Sequence, residues 1–150
     1  MKKYTLYIVT VLIAMLASAC QNNGGIGDLF GVWALESYTV DGNRCRDRYI
    51  DNTTFSFQNN IVEVVSQYDD YLSAYQTYGE WIWRDGDTLM FSFQHHDDTD
   101  SQEQYSAPTW IGFTAREIIM MNVSDRSSRR MTLTWDYEGS THVYKLKKMD

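Results

Sequence analysis

The sequence predicts an all-β fold, an antiparallel up-and-down β-barrel of about eight strands. From Leu29 onward, apolar and polar residues alternate with a period of two in one short segment after another, which is typical of half-buried strands. No segment has the helical periodicity of a crossover connection, so neighbouring strands are expected to be antiparallel. Residue pairs that favour tight hairpin turns separate the segments: Asp41-Gly42, Asn59-Asn60, Asp85-Gly86 and Glu138-Gly139.

Each strand is predicted from its own alternation and from the turn residues beside it. The segment 43–52 lacks alternation and is expected to be looser. Gly79 lies inside a predicted strand, where glycine commonly marks a bulge or a sharp bend such as a barrel corner. Alternation alone is compatible with a barrel or a sandwich, and we expect the barrel. The predicted strands are 31–40, 53–58, 61–66, 74–84, 89–93, 110–114, 117–123, 131–137 and 142–147.

Residues 1–19 have the order of a secretory signal peptide. Lys2 and Lys3 precede an apolar run, and small residues follow it. The run is shorter than the roughly 20 apolar residues that a membrane-spanning helix needs. The segment 16–20, Leu-Ala-Ser-Ala-Cys, resembles the lipobox of bacterial lipoproteins. This resemblance implies cleavage before Cys20 and attachment of acyl chains such as palmitate to that cysteine.

The segment that follows the cysteine is expected to tether a single domain to the membrane. Residues 20–28 are small, polar and glycine-rich, which is typical of a flexible linker, and the barrel domain is expected over 29–150. The tether has no acidic run resembling a surface-export signal. We therefore expect a lipid-anchored protein of the bacterial cell envelope, in the outer membrane and facing the periplasm.

The charge of the chain excludes some partners. It has 20 acidic residues against 13 basic ones, and Lys2 and Lys3 belong to the predicted signal peptide. Nucleic acids and anionic lipid surfaces bind cationic faces, so both are poor partners for the chain as a whole.

The beginning of the first strand carries a family resemblance. Gly31-Val32-Trp33, followed by Asp41-Gly42 and by successive hairpins, resembles the lipocalins and especially lipocalin-like bacterial lipoproteins. The resemblance covers 29–150 and implies a calycin-type barrel in which Gly31 enters the floor and Trp33 plugs it. In that family an arginine usually stacks on the tryptophan; this chain lacks it, and Lys145 or Lys147 is the candidate substitute.

The candidate ligand-binding residues are those expected to point into the barrel. An eight-stranded barrel is wide enough either to be filled by its own side chains or to hold one small ligand. Alternation does not distinguish a packed core from an aromatic-lined pocket, so both interpretations stay open. The candidates are Phe55, Phe57, Tyr75, Trp81, Trp83, Phe91, Phe93, Trp110, Trp135 and His142.

Two polar clusters are more typical of solvated loops than of sites. The first has spacing that matches no calcium or zinc motif, so we expect no metal there; it comprises His95, His96, Asp97, Asp98, Asp100 and Glu103. The second comprises Arg44, Arg46 and Arg48, which lie at alternate positions. Such arginines can bind an anion together, but we favour the interpretation that they neutralise nearby acidic residues.

We expect no catalysis and no cofactor. The chain has no nucleophile elbow, phosphate loop or Cys-x-x-Cys pair. With Cys20 assigned to lipid, Cys45 has no cysteine partner for an internal disulfide. An enzyme would require His142, or the His95-His96 pair, to meet a carboxylate at hydrogen-bonding distance.

Two functions are compatible with these expectations. The first is a monomeric, lipid-anchored, lipocalin-like protein that binds a small apolar or amphipathic molecule and contacts the membrane through the lipid on Cys20. The alternative is a filled barrel that acts on a protein partner, as an interaction module or an inhibitor in the cell envelope. An exposed aromatic patch together with the absence of an internal cavity would favour the alternative.

Overall fold

The computed structural model describes residues 27–67, 74–93, 106–114 and 118–150. The predicted signal peptide, Cys20 and the loop with His95 and His96 lie outside these residues. Of the predicted tether, the structure describes only the last two residues, which belong to the 3-10 turn Gly27–Leu29.

The regular structure in the described part of the chain is nine strands and three 3-10 turns. Within those ranges, no helical segment is long and apolar enough to cross a membrane. The 3-10 turns are Gly27–Leu29, Ile50–Asn52 and Thr109–Ile111. The strands are β1 (Gly31–Val40), β2 (Asn43–Cys45), β3 (Thr53–Gln58), β4 (Ile61–Gln67), β5 (Ala74–Arg84), β6 (Thr88–Ser92), β7 (Ile119–Ser124), β8 (Arg130–Tyr137) and β9 (Ser140–Lys148).

The strands close into a barrel because β1 pairs on both of its edges. Trp33 in β1 lies opposite Phe55 of β3 on one side and Lys148 of β9 on the other. From β3 to β9 each strand pairs antiparallel with the next one in the chain. Eight strands, β1 and β3 to β9, thus form a closed up-and-down barrel, which confirms the predicted fold class. The short strand β2 pairs with the end of β1 as an extra strand.

Two of the four predicted turn pairs form two-residue turns with positive φ at both positions; at Asn59-Asn60 only Asn59 has positive φ, and the turn at Asp85-Gly86 extends to Asp87. Both residues of the Asp41-Gly42 turn have positive φ, 51° and 78°, as do Glu138 and Gly139, at 50° and 84°. Each pair joins its strands through a two-residue loop, because Val40 pairs with Asn43 and Tyr137 with Ser140. Positive φ at both positions defines the type I′ turn, whose twist matches that of a hairpin.

One prediction about local structure, the strand over 110–114, is wrong. The segment 43–52 contains β2 and a 3-10 turn, and a strand of three residues is too short to show alternation. The segment 110–114 is not a strand: it continues the 3-10 turn Thr109–Ile111 into Gly112, whose φ is 83°. Ile111 and Phe113 are both buried, and this spacing imitates a strand although the backbone is not extended.

Gly79 is explained by a close contact rather than by a bulge. The register between β4 and β5 is unbroken on either side of it. A Cβ atom at Gly79 would lie 2.6 Å from Cδ1 of Phe93 and 2.9 Å from the carbonyl oxygen of Ser92. Glycine therefore allows the Phe93 ring to pack directly on the strand. The next residue, Glu80, is where β5 changes its partner from β4 to β6.

The two ends of the barrel are distinguished by the turns and segments that they carry. We call the end where β1 begins the floor; it carries the turns 59–60, 85–87 and 125–129. We call the opposite end the mouth; it carries the turns 41–42 and 138–139 and the segments 46–52 and 106–114. We refer to 106–114 as the mouth segment.

Candidate functional site

Phe113 of the mouth segment lies at the centre of the aromatic core. Its ring centroid is 5.3 Å from that of Tyr144 and 5.8 Å from that of Phe93. Aromatic rings in contact have centroids about 4.5–7 Å apart. Three further rings lie at contact distance, at 6.3, 6.1 and 6.1 Å: Phe55, Phe91 and Trp135. A side chain from the mouth thus fills the space between opposite walls of the barrel.

Six of the ten predicted ligand-binding residues lie in this core and are brought together by the fold. They pack mainly on one another: the Phe57 ring, for example, lies 6.2 Å from Phe91 and 5.7 Å, edge-on, from Trp81. In the described part of the chain, these aromatic side chains therefore form a packed core rather than the lining of a pocket. The six are Phe55, Phe57, Trp81, Phe91, Phe93 and Trp135.

The other four predicted residues lie at the two ends of the barrel. Alternation indicates which face of a strand a side chain is on but not its height in the barrel. Tyr75 lies at the start of β5, at the mouth, and is 53% exposed. Trp83 lies at the floor, where the Arg126 guanidinium carbon is 4.6 Å from its ring centroid. Trp110 and His142 lie at the mouth.

Hydrogen bonds to three different strands fasten the mouth segment. The buried Tyr144 hydroxyl of β9 donates to the carbonyl oxygen of Ile111 at 2.9 Å. The Trp110 Nε1 donates to Oγ1 of Thr53 in β3 at 3.0 Å. Thr77 Oγ1 of β5 donates to the carbonyl oxygen of Ser106. These bonds, all made by residues that precede Phe113, hold the segment across the mouth.

A second segment, 47–53, is fixed beside it by its own hydrogen bonds. Oδ1 of Asp47 accepts the backbone N–H groups of Tyr49 and Ile50, both at 2.8 Å, which starts the 3-10 turn. The carbonyl oxygen of Tyr49 accepts the hydroxyls of Thr53 and Ser66, at 2.7 and 2.6 Å. The position of Tyr49 is thereby set relative to β3 and β4.

Between these segments lies a cleft of about 390 Å³, which we call the mouth cleft. Its lining residues are Tyr49, Tyr75, Ser106, Ala107, Thr109 and Trp110. The Tyr75 ring is 5.1 Å from that of Tyr49, edge-on, and 5.7 Å from that of Trp110. At the rim, Arg48 donates to the Tyr49 hydroxyl at 2.8 Å. The cleft therefore offers aromatic surfaces with hydroxyl groups and one cation beside them.

Sequence reasoning identified only two residues of this cleft, Tyr75 and Trp110. Tyr49, Ser106, Ala107 and Thr109 lie in irregular segments, where no alternation indicates which way a side chain points. The one available signal for Tyr49 was an aromatic residue between Arg48 and a predicted strand.

His142 belongs to an aromatic stack at the mouth. Its Nδ1 and the Tyr38 hydroxyl are hydrogen bonded at 2.8 Å, and the Tyr38 ring stacks on Tyr144 with centroids 4.7 Å apart. Burial lowers the pKa of His142, and burial also raises the pKa values of Tyr38 and Tyr144. The imidazole thus has a phenol as its hydrogen-bond partner, whereas the enzyme hypothesis required a carboxylate.

Gly31 and Trp33, the two residues that carry the family resemblance, lie at the floor, where β1 begins. Trp33 is 1% exposed, and its Nε1 donates to the carbonyl oxygen of Leu29 at 2.8 Å. The cation that covers its ring is Lys148, with Nζ 5.4 Å from the ring centroid, rather than Lys145 or Lys147. Gly31 has φ 116°, and a Cβ there would lie 3.2 Å from Cε of Lys148.

The remaining candidates do not converge on a site in the described residues. Arg44 donates to the carbonyl oxygen of Glu36 at 3.1 Å, away from the Tyr49 hydroxyl that Arg48 contacts. Cys45 is a half-buried free thiol packed against the core. Within the described ranges, no three His, Cys, Asp or Glu side chains are placed to hold a metal ion. The cluster at His95 and His96 lies outside those ranges.

A second cleft, of about 320 Å³, lies on the outer wall near the floor. Its lining residues are Glu36, Asp125, Ser127, Arg130, Met131, Thr132, Lys145 and Leu146. Charges of both signs meet there, and Arg130 Nη2 lies 3.6 Å from Glu36 Oε1. The mouth cleft is the better candidate site because aromatic rings and few charges line it. No protein-family model, curated protein or solved structure matches the chain.

Proposed function

We propose that this protein is a lipid-anchored, lipocalin-like barrel of the bacterial cell envelope that binds a small apolar or amphipathic molecule without transforming it. The observation that carries the proposal is the mouth cleft, where the half-exposed Tyr75 ring stands beside Trp110 in a concave site. Ligand sites are typically concave and lined by aromatic side chains, with a few polar groups that orient the ligand.

The packing around Phe113 supports a ligand at the mouth rather than inside the barrel. A molecule inside the barrel would have to displace that ring, which is 1% exposed, and with it the hydrogen bonds of the mouth segment. The mouth cleft needs no such rearrangement. Its volume of about 390 Å³ is near the lower end of the roughly 300–1,000 Å³ range of small-molecule sites. The expected ligand is therefore small.

The proposals of a lipid anchor and of an outer-membrane location rest on the N-terminal sequence. The signal peptide over 1–19 and the lipobox ending at Cys20 support an acylated cysteine in the outer membrane, with the barrel in the periplasm. A binding function without catalysis is supported by the hydrogen bond between Nδ1 of His142 and the Tyr38 hydroxyl, because a carboxylate is the usual partner that orients a histidine as a general base.

Native mass spectrometry of the full-length protein, purified from its own host in mild detergent, tests the proposal. We expect a bound small molecule that is lost on denaturation, and an affinity about two- to tenfold weaker on Tyr75→Ala, since stacking on one aromatic ring contributes about 0.5–1.5 kcal/mol beyond its buried area. Ile82→Ala, which removes an exposed apolar side chain from the outer wall, is the matched control. A ligand retained equally by both variants would contradict the mouth site.

A second candidate function, an interaction module for a protein partner, is favoured by one observation. Three apolar residues form a row across the outer wall, because Ile82 of β5 lies opposite Met90 of β6, which lies opposite Met120 of β7. Ile82 and Met120 are about half exposed. A photo-crosslinking residue at position 120, compared with one at position 145, tests this function in cells. A discrete adduct specific to position 120 supports it, and identical products at both positions contradict it.

A further inference from the structure

The floor of the barrel exposes three apolar side chains where the chain enters the domain. Phe30 is 48% exposed, Val32 40% and Met149 53%. Val32 lies in β1 next to the end of β9, and the Met149 backbone N–H donates to the Val32 carbonyl oxygen at 2.8 Å. Phe30 lies just before β1, at the same end. These residues, which we call the floor patch, project from the end opposite the mouth cleft.

The position of the anchor brings this end close to the bilayer. Between Cys20 and Gly27, where the described chain begins, an extended chain spans at most about 25 Å. Gly27 is held at the floor, because the carbonyl oxygen of Asp28 accepts Nζ of Lys148 at 2.8 Å and Leu29 is buried. The mouth lies one strand further away, the ten residues of β1. A lipid on Cys20 therefore places the floor patch within reach of the membrane.

The charge distribution of the floor is compatible with a lipid surface although the whole chain is acidic. Most of the basic residues in the described part of the chain lie at this end: Arg84, Arg126, Arg129, Arg130, Lys147 and Lys148. Acidic residues at the same end are partly paired with them, as in the 3.1 Å contact between Arg129 and Asp150. The floor consequently presents less negative charge to a bilayer than the composition of the chain indicates.

We infer that the floor patch docks on the lipid bilayer, with Phe30, Val32 and Met149 at the level of the headgroups, so that the mouth cleft faces away from the membrane. This inference rests on the lipid anchor of the proposed function. Apolar side chains beside basic residues are typical of surfaces that settle into the membrane interface, and each adds to the hold that the acyl chains provide. A docked floor gives the anchored barrel one orientation instead of leaving it to rotate on its tether.

Fluorescence quenching on the full-length, lipidated protein tests the orientation. In a Cys45→Ser background, Met149→Cys, Glu138→Cys and Met120→Cys place one label at the floor, at the mouth and on the outer wall, respectively. The protein is reconstituted in phosphatidylcholine vesicles that contain a lipid with a nitroxide headgroup. We expect quenching of the label at position 149 to exceed that at positions 138 and 120 several-fold. Adding Phe30→Asn should reduce that difference.

Two results would overturn the inference, and they are distinguishable. Equal quenching at the three positions would show that the acylated protein has no fixed orientation on the membrane. The strongest quenching at position 120 would show that the outer wall, rather than the floor, contacts the bilayer. A protein that does not float with the vesicles, and whose Cys20 peptide has no acyl mass, would overturn the lipid anchor and this inference with it.

Discussion

The Tyr144 hydroxyl donates a 2.9 Å hydrogen bond to the Ile111 carbonyl oxygen inside the barrel, so the last strand and the segment that covers the mouth are joined directly. The same tyrosine ring contacts Phe113, at a centroid distance of 5.3 Å. One side chain thus connects barrel closure to the packing of the mouth, and its removal should affect both.

Tyr144→Phe should destabilise the protein because it leaves the Ile111 carbonyl oxygen buried without a donor. A buried polar group left unsatisfied costs about 1–3 kcal/mol. Chemical denaturation of the purified protein measures the change, and Tyr75→Phe, at an exposed tyrosine, is the control that should alter stability little. An equal loss of unfolding free energy in both variants would show that the buried hydrogen bond contributes no more to stability than the exposed Tyr75 hydroxyl.

Gly112→Ala should be much more harmful than Gly86→Ala. Both glycines have positive φ, 83° and 79°, so alanine introduces similar backbone strain at each, about 1–2 kcal/mol. Only at Gly112 would the new Cβ meet another atom, the Tyr38 hydroxyl oxygen at 2.3 Å, whereas nothing lies within 4 Å at Gly86. The difference between the two free energies of unfolding isolates the steric contact, and equal values would contradict close packing of the mouth segment.

Two threonine-to-valine changes should differ in their effect on stability. Thr53 Oγ1 donates to the Tyr49 carbonyl oxygen and accepts from Trp110 Nε1. Thr53→Val removes both bonds and should lower the free energy of unfolding by about 1–3 kcal/mol. In the described part of the chain, the buried Thr114 Oγ1 has no hydrogen-bond partner, so Thr114→Val should be neutral or stabilising by up to about 1 kcal/mol. Thermal unfolding of both variants checks the sign, and a loss at Thr114 comparable to that at Thr53 would contradict this account.

The stability of the protein should decrease as the pH falls below about 6.5, the ordinary pKa of histidine. Burial lowers the pKa of His142 in the folded state, so the unfolded chain binds its proton first and protonation favours unfolding. The lowered pKa of Asp41, held by its hydrogen bond to the Thr141 N–H, acts in the same direction but at lower pH. Unfolding measured from pH 7.5 to 5 should depend on pH less steeply in His142→Asn than in the parent or in His96→Asn. Parallel curves would exclude His142 as the cause.

The barrel and most of its strands could be predicted from the sequence because both follow from local patterns. Alternation indicated the inward faces of Phe55, Phe57 and Phe91, and the Asp-Gly and Glu-Gly pairs indicated turns that need positive φ. The height of a side chain along the barrel is a property of strand register, which alternation does not contain. Tyr75 was for that reason expected inside and lies at the mouth.

The mouth segment could not be predicted for a different reason. Phe113 enters the core because the backbone turns at Gly112 and because bonds from β3, β5 and β9 hold it there. Those partners are distant in the chain, so no local window contains the information. The same holds for Lys148, which reaches Trp33 because β1 and β9 are paired.

The pairing of β1 with β9 also constrains the order in which the protein can fold. Trp33 and Lys148 are neighbours in the barrel but lie at opposite ends of the domain sequence. Such non-local pairing is slow to form, typically within milliseconds to seconds for all-β proteins. A chain made from its N-terminus holds β1 with one unpaired edge until β9 is available. That edge therefore stays open to unwanted strand pairing until the last strand completes the barrel.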